Sequence, residues 1–121
     1  MSLADSINDI IGKPFNAETF HCWTLVEELL PEAPKLDVTA TSIIKSIKHF
    51  RDEMPEIGLI EVDTYENGDI IVLGKNGVYM HAGVYYDGGL VHVDHYGARY
   101  QPMKDIDKVY TMKQGLRSRP L

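Results

Sequence analysis

A single cysteine in 121 residues leaves no partner for an internal disulfide, so this fold has to rest on its packed core. A chain of this length buries roughly two-thirds of its unfolded surface, enough for one core without staples. No apolar run approaches the roughly 20 residues that cross a bilayer, and no membrane partner is expected. Basic residues are outnumbered, 12 against 18 acidic, for a net charge of −6. Nothing resembles a cationic stripe, which argues against duplex nucleic acid, whose counterions only such a face displaces. Neither CxxC nor HExxH spacing occurs, so no metal or other cofactor is expected. Repeats, low-complexity tracts and linkers are missing too. The opening residues, Met1-Ser2-Leu3-Ala4-Asp5-Ser6, lack the basic and apolar regions of a signal peptide. Cytoplasmic synthesis without a cleaved signal is the expectation.

What remains is an ordinary globular mix, 44% hydrophobic and 25% charged, which fits one domain over residues 1–121. The first half reads helical. Ile7, Ile10 and Ile11 follow i, i+3, i+4 spacing before Gly12 and Pro14, which predicts a short helix. A second helix is expected over residues 22–30, with Val26, Leu29 and Leu30 as its apolar stripe and Cys22 one turn before Val26. Pro31 and Pro34 stop it. A third is expected over residues 42–54, with Ile43, Ile44, Ile47, Phe50 and Met54 on one face. From Ile57 on, the period changes. Asn67-Gly68, Asn76-Gly77 and Asp87-Gly88-Gly89 are turn signals. They bracket expected strands at residues 70–73, 78–86 and 90–96. Two further short strands are expected at residues 98–101 and 109–112. Helices followed by an antiparallel meander predict an α+β domain with N-terminal helices packed on a sheet. Lys113, Arg117 and Arg119 read as a solvated tail.

The chemistry centres on Cys22, at the start of the second helix. A free thiol ionises near 8.5, and lowering that by about 2 units takes roughly 2.7 kcal/mol of preference for the anion. A helix N-terminus supplies about 0.3–1 kcal/mol. The helix alone falls short, and a nearby imidazolium has to do the rest. His81 and His92 are the candidates. The Asp-Gly step at 87–88 favours a two-residue loop, whose pairing puts both histidines on one face of the hairpin. His81 is then the base and His92 its orienter, with Asp94 and His95 in reserve. His21 adjoins the thiol but points elsewhere, as a wall residue. His49 and the carboxylates Glu27, Glu28, Asp105 and Asp107 read as solvated.

These residues resemble, in order, the NlpC family of cysteine peptidases, papain-like enzymes of bacterial cell walls. Gly12-Lys13-Pro14-Phe15 is similar to the family's Gly-x-Pro-Tyr. Cys22-Trp23-Thr24-Leu25-Val26 is similar to Cys-x-x-Leu-Val, and Asn67-Gly68-Asp69-Ile70-Ile71 to its Gly-Asp with two aliphatics. His81-Ala82-Gly83-Val84-Tyr85 is similar to His-Val-Gly-Ile-Tyr, and Leu90-Val91-His92 to the strand with the third polar residue. The similarity covers residues 12–112. It implies a papain-like NlpC-type fold, with Cys22 as nucleophile, His81 as general base and His92 as orienting residue. It implies hydrolysis of an amide in a peptidoglycan stem peptide through a thioester. Small size and the Cys-Trp pair look more like variants from phage tails and prophages, which implies phage-tail partners and a virion association. Phe15, His21 and Trp23 stand where the family has Tyr, Asp and Ser, the polar groups that hold the stem peptide's amine. They are the candidate substrate-binding residues. The rival expectation is a non-catalytic tail or scaffold component that keeps the fold and uses its groove to bind.

Overall fold

The computed structural model describes residues 2–33 and 58–118. The helix expected over residues 42–54, with His49 on it, lies outside the described residues, as do Pro34 and Arg119. The described chain forms a mixed α+β structure, a six-stranded antiparallel sheet with three helices.

Helix α1 covers Leu3–Ile10. Ser2 caps it, its hydroxyl accepting from the Asp5 N–H at 3.2 Å, which satisfies one of the donors a helix start leaves open. Ile7 and Ile10 are buried, whereas Ile11, expected on the same stripe, is the C-cap and is exposed. Helix α2 covers Cys22–Leu29, with Cys22, Trp23, Leu25, Val26 and Leu29 buried. It starts where the sequence places it because Thr24 holds the first turn. The His21 N–H donates to Thr24 Oγ1 at 2.7 Å, and that hydroxyl donates back to the His21 carbonyl at 3.0 Å.

Strands β1 (Leu59–Val62), β2 (Ile70–Lys75), β3 (Val78–Tyr86), β4 (Gly89–Asp94), β5 (Gly97–Pro102) and β6 (Met112–Ser118) lie in the order β1-β6-β2-β3-β4-β5. The β2–β3 and β3–β4 turns each have two residues. Asn76 and Gly77 have φ of 56° and 78°, and Asp87 and Gly88 have φ of 45° and 78°. Two positive φ values in succession are the requirement of the hairpin turn whose twist suits its strands. Tyr86 therefore pairs with Gly89 and Val84 with Val91. This is the register expected from the Asp-Gly step.

One face of the sheet carries α1 and α2. Ile70, Val72, Ala82, Val84, Val91, Val93, Ala98 and Leu116 meet both helices there. Alternation sends Ile71, Leu73 and Leu90 to the other face, where Ile106 covers them. Ile106 belongs to α3, Met103–Val109, an element not expected from the sequence. Its seven residues offer too little periodicity to separate a helix from a loop. The strand expected at residues 109–112 is thus the end of α3, a connection and the first residue of β6. Asp105 and Asp107 sit on α3, and Asp107 accepts from Lys113 Nζ at 2.8 Å.

The solvated tail also needs correcting. Lys113 and Arg117 lie in β6, between β1 and β2. Arg117 grips Asp69 through Nε and Nη2, both at 2.8 Å, and also donates to the Thr64 carbonyl. Asp69 is 2% exposed, so this pairing satisfies a carboxylate that would otherwise be costly to bury. A charged residue near a chain end looks solvated until a buried partner is found for it.

Candidate functional site

Cys22, His81 and Asp94 line one open cleft of about 220 Å³, together with Phe15, His21, Met80, Val93 and Tyr110. The local fold explains the meeting. The thiol opens α2, on the helical face of the sheet. His81 and His92 alternate with Ala82 and Val91, which places them on the opposite face. The β3–β4 ladder ends at Val84↔Val91, and beyond it the two strands are no longer paired. There the Cys22 sulfur lies against the backbone N–H of Ala82, the residue next to His81. Approaching from the two faces, the thiol and the His81 imidazole line the same cleft there.

The histidines are joined directly. His81 Nε2 and His92 Nδ1 are 2.9 Å apart, and His92 Nε2 is 2.7 Å from Gln101 Oε1. Their rings meet edge to face at 79°. His81 also lies nearly parallel to the Tyr110 ring, 12° off with centroids 5.7 Å apart. His92, not Asp94 or His95, is therefore the group bonded to His81. Asp94 stands in the cleft but is held by Arg99 Nη2 at 2.6 Å and by the Tyr96 N–H at 2.9 Å. His95 packs on Tyr96, with ring centroids 4.0 Å apart. Of the candidate substrate-binding residues, Phe15 and His21 line the cleft. Trp23 does not; it is 0% exposed in the core, because one step along α2 turns it about 100° from Cys22. Among the described residues, no cluster of three His, Cys, Asp or Glu is placed to hold a metal. Sequence reasoning missed Gln101, Tyr110, Met80 and Val93.

The electrostatics differ from the expected ion pair. Burial pushes the Cys22 thiol up to about 11, although the backbone N–H groups of Ala82, Trp23 and Cys22 itself pull it down. Burial, then the neighbouring His92, push His81 down to about 3, against a smaller upward pull from Asp94. Both shifts run against charge separation and favour a neutral thiol beside a neutral imidazole over the ion pair. Burial also lowers His92, with Arg99 acting the same way and Gln101 and Asp94 opposing.

His81 protonates near 6.5 when unfolded and near 3 when folded. Between those values the unfolded chain binds more protons, so stability falls as pH drops. At pH 4.5 the loss from His81 is about 2 to 3 kcal/mol relative to pH 7.5, and His92 adds in the same sense. Urea unfolding at the two pH values measures it. His81→Gln should lose less on acidification; an identical loss in that variant would place the acid sensitivity elsewhere.

No protein-family model matches the chain, and no curated protein sequence matches it. The site is thus defined by its own chemistry: a buried thiol at a helix start, sharing a cleft with the first of two linked imidazoles. Among the described residues, no helix is long and apolar enough to cross a membrane.

Proposed function

We propose that this chain is a cysteine hydrolase of the NlpC peptidase type, acting on an amide bond in a peptidoglycan stem peptide. The observation that carries the reading is the linked order of cleft thiol, His81 and His92. His81 Nε2 is engaged by His92, which leaves Nδ1 to take the thiol proton. The order along the chain, Cys22 before His81 before His92, is also that of the family whose motifs these residues resemble.

Burial favours the neutral pair, and from that pair attack and proton transfer are coupled. His81 Nδ1 takes the Cys22 proton as sulfur bonds to the acyl carbon. The oxyanion takes the Cys22 backbone N–H. The C–N bond then breaks, and His81 returns the proton to the departing amine. Water attacks the thioester by the same route, releasing the acid and restoring the thiol. Phe15, Met80 and Tyr110 offer a largely apolar wall to the peptide. Phe15, His21 and Trp23 replace the family's amine-holding groups, so any amine contact here differs. Peptidoglycan fragments are the proposed substrate, with phage-tail proteins and the virion as the proposed setting.

The test is trapping of the intermediate. A stem-peptide amide incubated with the protein and quenched in acid should leave an acyl group on Cys22, detected by mass. Product without any Cys22 adduct, even under rapid quench, would remove the covalent route.

A second reading, a non-catalytic binding component, is favoured by one observation: burial disfavours the thiolate. It predicts that iodoacetamide labels Cys22 more slowly than an exposed thiol at every pH, with or without bound peptide. The hydrolase reading requires in addition that the bound peptide's amide be cut, and that Cys22→Ala abolish the cut.

A further inference from the structure

We infer that Gln101 is a positioning residue, whose side-chain carbonyl sets the proton positions of both histidines so that His81 presents a bare Nδ1 to the cleft. The inference deepens the hydrolase reading and rests on it for its catalytic consequence, though not for the proton positions themselves.

Gln101 Oε1 can only accept, so His92 Nε2, 2.7 Å away, must carry the proton. A neutral His92 then has an unprotonated Nδ1, which can only accept. His81 Nε2, 2.9 Å from it, must therefore donate. A neutral His81 with its proton on Nε2 has a lone pair on Nδ1. That lone pair is what a thiol proton needs. Reversing the first link reverses the last. If His92 carried its proton on Nδ1, His81 Nε2 would have to accept, Nδ1 would hold the proton, and the base would be spent before substrate arrives.

The register delivers Gln101 to this place. Leu90 pairs with Gln101 and His92 with Arg99 across β4 and β5, so Gln101 shares the His92 face, one diagonal step away. A neutral amide also suits the task better than a carboxylate. A carboxylate would favour a doubly protonated His92, whose Nδ1–H could no longer accept from His81. Other charged groups bear on the two rings, Asp94 on both and Arg99 on His92, but neither occupies His92 Nε2.

The experiment is nitrogen-15 NMR on protein labelled at histidine, reading the two-bond couplings that distinguish the ring nitrogens. In the wild-type protein at pH 7, His81 and His92 should both show a protonated Nε2 and an unprotonated Nδ1. Gln101→Leu should lose that single state at both rings. Gln101→Glu should keep Nε2–H on His92 but raise the pH at which His92 takes its second proton, with Asp94 and Arg99 unchanged as its charged neighbours. As His92 does so, His81 should shift its proton to Nδ1. Acylation of Cys22 should slow roughly 10- to 100-fold in Gln101→Leu at unchanged KM. A wild-type His92 protonated on Nδ1, or unchanged ring signals in Gln101→Leu, would overturn the assignment. The wild-type spectrum decides even if the variants do not fold. Correct proton positions with no Cys22 adduct would retain Gln101's role and defeat the hydrolase instead.

Discussion

Cys22→Ala is expected to abolish turnover of a stem-peptide amide, on the order of 10⁴-fold or more, with little change in the fold. In the proposed mechanism, the sulfur is the atom that bonds to the acyl carbon. Stability should change by about 1 kcal/mol or less, because the site is a small buried position at a helix start rather than the centre of the core. His81→Gln should also remove most turnover, roughly 10²- to 10⁴-fold, since among the described residues His81 is the cleft group bonded to His92. The two losses should not multiply, because base and nucleophile act as one unit. Peptide hydrolysis followed by mass detection, beside a thermal melt of each variant, measures both effects. Turnover that survives Cys22→Ala intact would mean that the sulfur is a packing atom.

Trp23→Ala carries the second large effect, and it is one of stability. Trp23 is 0% exposed and sits among the residues of the helical face. Truncating a buried aromatic costs about 3–5 kcal/mol. Against the roughly 5–15 kcal/mol that holds a typical domain together, that is a large share. The urea midpoint should fall sharply, while any KM measured on the folded fraction stays close to wild type. Phe15→Ala should do the reverse. Phe15 is 42% exposed on the cleft wall, so its loss should raise KM and barely move the midpoint. A KM effect at Trp23 with unchanged stability would return that residue to the substrate.

The parts of the site that could be read in the sequence were those fixed by parity. The Asp87-Gly88 turn sets an odd-sum pairing, which puts His81 and His92 on one face without any knowledge of the rest of the sheet. Extended past Val84↔Val91, that register sets them a diagonal step apart, with Asp94 opposite His81. Gln101 was reachable by carrying the same argument into β5. The obstacle was the turn at His95-Tyr96, which lacks an Asn-Gly or Asp-Gly signature; its marker is Gly97, at φ 94°. The protonation state was not legible at all. A helix start and a histidine suggest a thiolate, but whether burial outweighs both depends on how much water reaches the sulfur, and sequence spacing holds no measure of that. Helix α3 and the true extent of β6 failed for a different reason. Seven residues are too few to show a period, and the pairing of Arg117 with Asp69 spans 48 positions.

The strand order has a bearing on how the molecule is made. Strands β2 to β5 are each joined to the next by a tight turn, so the surface bearing His81, His92 and Gln101 can assemble as soon as that stretch leaves the ribosome. Strand β1 precedes them all in synthesis, yet its neighbour in the sheet is β6, the last strand to emerge. Of the described strands, the first in the chain is therefore closed only by the last, whereas His81, His92 and Gln101 lie on strands joined by two-residue turns.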